Sequence, residues 1–202
     1  MNNCNRGAVP VYELPPFQLP FHHPFLAPEE ADELLALLLE RIPWKQDRIT
    51  LFGREHLIPR EQCWIAEDGL TYRYSGQTLE PAQWPDWLRP LARQVGDIAG
   101  EHFNSVLANH YRDGNDSMGW HSDDEPELGP APVIASLSLG GTRRFRFRHR
   151  EDHGHTLGID LPHNSLLVMP AGVQSHWHHA LPKTRKPVSP RINLTFRRLV
   201  DA

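Results

Sequence analysis

From residue 105 onward the chain is a succession of short apolar runs, each cut off by glycine, proline or asparagine: SVLANHYR, VIASLSLG, RRFRFRHR, HTLGIDL, NSLLVMP, SHWHHAL and RINLTFRRLV. None is long enough for an ordinary helix. Several alternate apolar with polar positions, the period of a strand that buries one face. Six or more such strands with turn signals between them predict a sandwich or barrel of the jelly-roll kind. The first half of the chain reads differently. Residues 1–25 are rich in proline and predict an extended arm. APEEADELLALLLERI (27–42) places Pro28 at a helix start, acids in the first turn and leucines behind them. WPDWLRPLARQVGDIAGEHF (84–103) puts Leu88, Leu91, Val95 and Ile98 on one helical face, with Pro85 and Pro90 near its start, where proline is tolerated. Between the two, RITLFGREHLIPREQCWIAEDGLTYRYSG mixes β-branched and aromatic residues with Gly and Pro and predicts hairpins and loops. No flexible linker separates the halves. The expectation is one composite α+β domain over 1–202 with a mainly β core: the arm (1–25), helices and hairpins (26–104), and the β core (105–202).

The bulk numbers narrow the function classes. At 202 residues, 39% hydrophobic and 23% charged, the chain suffices for a real core. No apolar run approaches the ~18–20 residues that span a bilayer. The start, MNNCNRGAVPVYELPPF, lacks a basic segment followed by an apolar one, so a secretory signal is not expected. Two cysteines, Cys4 and Cys63, suit a reducing compartment. An intracellular protein is expected, cytoplasmic or, in a eukaryote, nuclear, with no membrane partner. A net charge of −4 gives no overall pull toward nucleic acid. Locally, however, residues 143–150 (RRFRFRHR) and 183–186 (KTRK) are basic, and such a rim binds phosphates whatever the total.

Two stretches carry candidate chemistry. In RINLTFR, period two puts Arg191, Asn193, Thr195 and Arg197 on one face and Ile192, Leu194 and Phe196 on the other. On an outer strand solvent would satisfy the guanidinium groups. Facing a barrel interior, they would need a bound dianion. In GWHSDDEPELGP (119–130), His121 and Asp123 are two residues apart and share a face of an extended segment, which Asp124 does not. An imidazole and a carboxylate are two-thirds of the 2-His-1-carboxylate site that binds ferrous iron. The third ligand must come from elsewhere, and His176, His178 and His179 all qualify: alternation puts the first two on one face and the last on the other. The alternative for each is a polar turn or a surface histidine.

Taken together, NHYRDGNDSMGWHSDDE, HWHHALP and RINLTFR resemble the AlkB-type Fe(II)/2-oxoglutarate-dependent dioxygenases, most closely the branch that repairs duplex DNA. The similarity runs from about RITLFG to NLTFRR. It implies a double-stranded β-helix (jelly roll) with N-terminal helices and a nucleotide-recognition lid of hairpins. It implies His179, with His121 and Asp123, as the iron ligands, and Asn109, Tyr111, Arg191, Asn193 and Arg197 as the holders of 2-oxoglutarate. O2 is the oxidant. The implied reaction hydroxylates an N-methyl group on a damaged base of the 1-methyladenine or 3-methylcytosine type, and the product loses formaldehyde. The base must leave the stack or come from a single strand. TLFGRE aligns with the wedge hairpin, which makes Phe52 the intercalating ring. TYRYSG aligns with the lid, so that Tyr74 stacks on the flipped base where the family more familiarly has Phe. Tyr72, Asp124 and Glu125 then read the base edge, and Arg60, Lys183, Arg185 and Lys186 contact phosphates, with 143–150 adding to them. The implied partner is DNA, single- or double-stranded, with RNA as a further substrate class, and the chain acts as a monomer. Two other readings compete. A 2-oxoglutarate hydroxylase acting on RNA, protein or a small molecule needs neither wedge nor basic rim. A jelly-roll module with a structural metal would normally supply four ligands, and this motif supplies three.

Overall fold

The computed structural model describes residues 9–51, 54–74, 77–79 and 81–200. In chain order the elements are β1 (Val11–Leu14), β2 (Phe17–His22), α1 (Pro28–Arg41), β3 (Arg48–Leu51), β4 (Arg54–Leu57), β5 (Glu61–Ala66), β6 (Tyr72–Tyr74), β7 (Gln77–Leu79), β8 (Ala82–Gln83), α2 (Arg89–Ala99), β9 (Ser105–Tyr111), β10 (Met118–His121), β11 (Ile134–Gly140), β12 (Arg143–His149), β13 (Thr156–Leu161), β14 (Ser165–Met169), α3 (Val173–His176), β15 (Trp177–Leu181) and β16 (Arg191–Arg197). Every strand-like run noted after residue 104 contains a strand. They form an eight-stranded sheet, β1-β2-β14-β11-β16-β9-β5-β8, and a four-stranded sheet, β10-β15-β12-β13; β3-β4 and β6-β7 are separate hairpins. This is the jelly-roll architecture.

The large sheet is covered on both faces, which explains why its strands read as nearly continuous apolar runs. One face packs on α1 and α2 through Val106, Ala108, Ala135, Leu137, Leu139, Ile192, Leu194 and Phe196. The other meets the small sheet in a second cluster with Tyr111, Ile134, Phe145, Phe147, Ile159, Leu161, Leu167, Met169, Trp177 and Leu181. Cys63 lies in the helix-side cluster, where burial pushes its thiol up to about 11.

Three expectations are corrected. The proline-rich N-terminal segment is not merely extended: β1 and β2 form a hairpin, and β2 joins the large sheet beside β14. Leu14, Leu19 and Phe21 are buried, and Pro15 and Pro16 fall in the turn, where proline removes no ladder bond. The region between the helices contributes more than hairpins, because β5 pairs with β9 in the large sheet. In the second helical segment, Leu88, Leu91 and Val95 are buried as expected, but Ile98 is 41% exposed. A 3-10 turn over Asp86–Leu88 precedes α2, and the buried stripe is completed by the small residues Ala92 and Gly96.

Candidate active site

Register builds the site. β16 lies between β11 and β9, and its successive rungs align Gly140, Arg191 and Tyr111, then Ser138, Asn193 and Asn109, then Ser136, Thr195 and Leu107. Because side chains alternate, one face of three strands turns a polar belt toward the small sheet, while the other face enters the helix-side core. Gly140 sits at φ +86°, and a Cβ there would lie 2.3 Å from the Pro190 carbonyl oxygen, so the rung next to Arg191 requires glycine.

On the facing sheet, β10 pairs with β15 so that His121 stands opposite His179, after a register slip that begins at Met118. The rings meet edge to face with centroids 4.2 Å apart. Asp123 follows two residues later, its Oδ2 3.8 Å from His179 Nε2. One ligand atom from each of His121, Asp123 and His179 lies within 4.8 Å of the others. Among the described residues this is the one such group. His121 Nδ1 donates to the Gly119 carbonyl at 2.9 Å, which leaves its Nε2 available. Burial, followed by the neighbouring His121, pushes His179 down to about 3, so its ring is neutral. Burial also raises Asp123, but Arg197 and the two histidines outweigh it and hold the carboxyl below the usual range. Arg197 Nη2 donates to Asp123 Oδ1. The alternatives fall away: His176 Nδ1 bonds the Gly172 carbonyl, His178 is on the opposite face of β15 across from Arg148, and Asp124 turns out to Arg150.

The cluster opens into a narrow cavity lined by Asn109, Tyr111, Phe145, Leu181, Arg191, Asn193, Thr195 and Arg197 among others. Arg191 is 2% exposed. Its Nη2 donates to Ser138 Oγ at 2.7 Å, and its guanidinium lies 5.2 Å from the Tyr111 ring centroid. Its Nε is buried without a hydrogen-bond acceptor, and burial pushes the group down to about 10.

Residues 18–197 match the model of the 2OG-Fe(II) oxygenase superfamily. DNA oxidative demethylase ALKBH2 of Homo sapiens is 40% identical over 181 residues, which cover 85% of this chain and 69% of that protein. Alpha-ketoglutarate-dependent dioxygenase alkB homolog 3 of Homo sapiens is 41% identical over 182 residues, covering 86% and 63%. The structure of OsALKBH1 superimposes over 94% of this chain and all of that one with a TM-score of 0.66 at 17% identity, a likeness of fold. The chain is an AlkB-type member of the 2OG-Fe(II) oxygenase superfamily. It is an Fe(II)/2-oxoglutarate-dependent dioxygenase, with O2 as the other cosubstrate.

The residues present fit both groups that such an oxygenase carries. His179 Nδ1 and Asp123 Oδ2 are buried without hydrogen-bond partners, and two neutral imidazoles with a carboxylate are a ferrous donor set. A buried guanidinium with an orphaned Nε and no carboxylate in ion-pair reach among the described residues fits one end of a dicarboxylate.

Around this centre the oxygenase departs from some sequence expectations. Arg197 lines the same cavity as Arg191 and also pairs with Asp123 through Nη2. Arg60, expected at a phosphate, is 5% exposed; its Nε donates to Asn109 Oδ1 at 2.8 Å and its Nη2 to Gln62 Oε1 at 3.3 Å. The cause is its position at the start of β5, whose register sets Gln62 opposite Asn109. Arg143 likewise leaves the basic rim: it is buried and donates to the carbonyls of Asp113, Asp116 and Pro182. Lys183, Arg185 and Lys186 are exposed, as are Arg144 and Arg146. Glu125 is half-buried where the chain turns into Pro126–Leu128. Trp177 is packed, whereas Trp120 is 37% exposed with Arg148 over its ring at 4.5 Å. Tyr72 and Tyr74 belong to β6, with side chains outside the described residues; Phe52 lies outside them altogether. Sequence reasoning missed Ser136 and Ser138, although period two in VIASLSLG puts both on one face. It also missed Gln174, for which no periodic signal exists.

Proposed function

We propose that the chain is an oxidative demethylase that repairs N-alkylated bases in DNA, of the 1-methyladenine or 3-methylcytosine type. The observation that carries this reading is the adjacency, in one cavity, of the His121–Asp123–His179 cluster and the Arg191 guanidinium without a counter-anion. The DNA oxidative demethylases among the relatives supply the substrate class. Iron and 2-oxoglutarate, when bound, supply the oxidation that hydroxylates the N-methyl group, the cosubstrate leaving as succinate and carbon dioxide. The hydroxymethyl carbon then departs as formaldehyde, and its proton returns to the base nitrogen.

The chain's own residues bind and orient. His121, Asp123 and His179 hold iron, and Arg197 keeps Asp123 ionised. Arg191 takes the distal carboxylate of 2-oxoglutarate, with Tyr111, Asn109 and Asn193 along the same belt. Arg60 holds Asn109 from behind. Lys183, Arg185 and Lys186 contact phosphates from the exposed rim. Asp124, Glu125, Tyr72 and Tyr74 receive the flipped base, and Phe52 fills the gap it leaves. The enzyme acts as an intracellular monomer within a single domain.

The test is formaldehyde release from matched single- and double-stranded oligonucleotides carrying 1-methyladenine or 3-methylcytosine, with an RNA arm, for the unaltered chain and Phe52→Ala. Release from DNA is expected. Phe52→Ala should slow the duplex by roughly tenfold and spare the single strand, because stacking returns about 1–3 kcal/mol per base. Succinate production without formaldehyde from any DNA would reject the substrate class.

A further inference from the structure

The loop that carries Asp123 leaves β10 after His121, and three of its residues in succession are held from one place. Ser122 Oγ donates to the Trp177 carbonyl at 3.1 Å. The backbone N–H of Asp123 donates to Gln174 Oε1 at 3.0 Å. Asp124 Oδ2 accepts from Arg150 Nη1 at 2.8 Å, and the same Nη1 donates to the Gln174 carbonyl at 3.1 Å. All three ties run to the single turn of α3, its continuation into β15, or the arginine bound to it.

That turn is itself fixed. It begins at Gly172, φ +91°, where a Cβ would stand 3.0 Å from the Phe17 ring. It ends with Arg150 donating its backbone N–H to the His176 carbonyl at 2.8 Å. Gln174 is 1% exposed, and its Nε2 donates to Met169 Sδ at 3.6 Å. The amide is therefore oriented at both ends: nitrogen on a thioether, oxygen on the main chain of Asp123. The Asp123 carboxylate has one oxygen on Arg197 and the other turned to His179. Its direction is fixed jointly by Arg197 at the tip and by the backbone at the root, and Gln174 holds the root.

We propose that Gln174 is a positioning residue for the metal-binding carboxylate, holding the Asp123 main chain so that its free oxygen faces His121 and His179, with Arg150 clamping the Gln174 turn to the same loop. The inference rests on the reading that these three residues hold iron. A buried amide that only satisfied a main-chain N–H would affect folding and leave the metal centre alone. Losing an outer partner of a metal ligand typically costs about 10–100-fold in metal affinity.

The experiment titrates Co(II) into the metal-free full chain and follows its visible absorption, with melting of the metal-free protein as control. Gln174→Met keeps length and burial and removes the amide, both the oxygen that accepts from Asp123 and the nitrogen that donates to Met169. Co(II) binding weaker by about tenfold, with a changed absorption spectrum, is expected. Arg150→Met, at a half-exposed position that does not endanger the core, should shift affinity in the same direction by a smaller factor, and carries the test alone if Gln174→Met does not fold. Unaltered affinity and spectrum in the folded variants overturn the proposal. Failure of the unaltered chain to bind one Co(II) overturns the metal-site reading itself, and the proposal with it.

Discussion

Asp123 and Arg191 are the residues on which most rests, and the structure separates their roles. Asp123 is a candidate ligand and also the anion that pairs with buried Arg197. Breaking a buried pair by removing one partner costs about 3–5 kcal/mol. Asp123→Ala should therefore abolish succinate release and also lower the melting temperature. Asp123→Asn keeps an oxygen for Arg197 and should lose turnover with a smaller loss of stability. Equal turnover by Asp123→Asn and the unaltered chain would remove Asp123 from the metal site. Arg191 is the reverse case, a buried cation with no carboxylate beside it. Hydrogen bonds to charged groups contribute about 1.5–3 kcal/mol, so Arg191→Met should weaken 2-oxoglutarate roughly 10–100-fold in a titration. Its melting temperature without cosubstrate should hold or rise, because an uncompensated charge has left the interior.

At the scale of elements, the loop between β9 and β10 is tied down by charge. Asp116 is 4% exposed and accepts from Arg112 Nε, Nη2 and backbone N–H, while Arg143 gathers three carbonyls around the same loop. Burial alone would raise the Asp116 carboxyl, but the Arg112 bonds outweigh it and hold it below its ordinary value. A depressed carboxyl contributes stability in full above its unfolded value, and that contribution disappears as pH falls through the folded one. Asp116→Asn should thus melt lower at neutral pH and lose less on acidification than the unaltered chain, by melting curves from pH 7 to pH 2. Parallel acid limbs would refute the assignment. The strands themselves were legible in the sequence because each run after residue 104 has period two or unbroken apolarity. The β1–β2 hairpin was not, because proline density hid three buried alternating residues. The belt on β16 was readable as a face, but not where it looked: that depends on β9 and β11 flanking it, a long-range pairing that no local period encodes. Arg60 and Arg143 were misplaced for the same reason, since burial is decided by register and not by the charge of neighbours in sequence.

For the whole molecule, the site joins two sheets, so its ligands should act as a clasp. Anything that binds only the folded state stabilises it by about 2.7 kcal/mol at a hundred times its dissociation constant. For a chain of this size that is roughly 5–10 °C in melting temperature. Mn(II) with 2-oxoglutarate should produce such a shift, and Arg191→Met should lose the increment due to 2-oxoglutarate while keeping that due to the metal. On the proposed function the chain works among the electrophiles that alkylate bases, and thiolates are softer targets than bases. Cys63 sits in the helix-side core with its thiol pushed up to about 11. At neutral pH only about one molecule in ten thousand would present a thiolate there, and burial closes the approach even to that one. Iodoacetamide should leave Cys63 unmodified in the native chain and label it in denaturant, as read by peptide mass. The fold thus keeps this sulfur protonated and out of reach of such electrophiles.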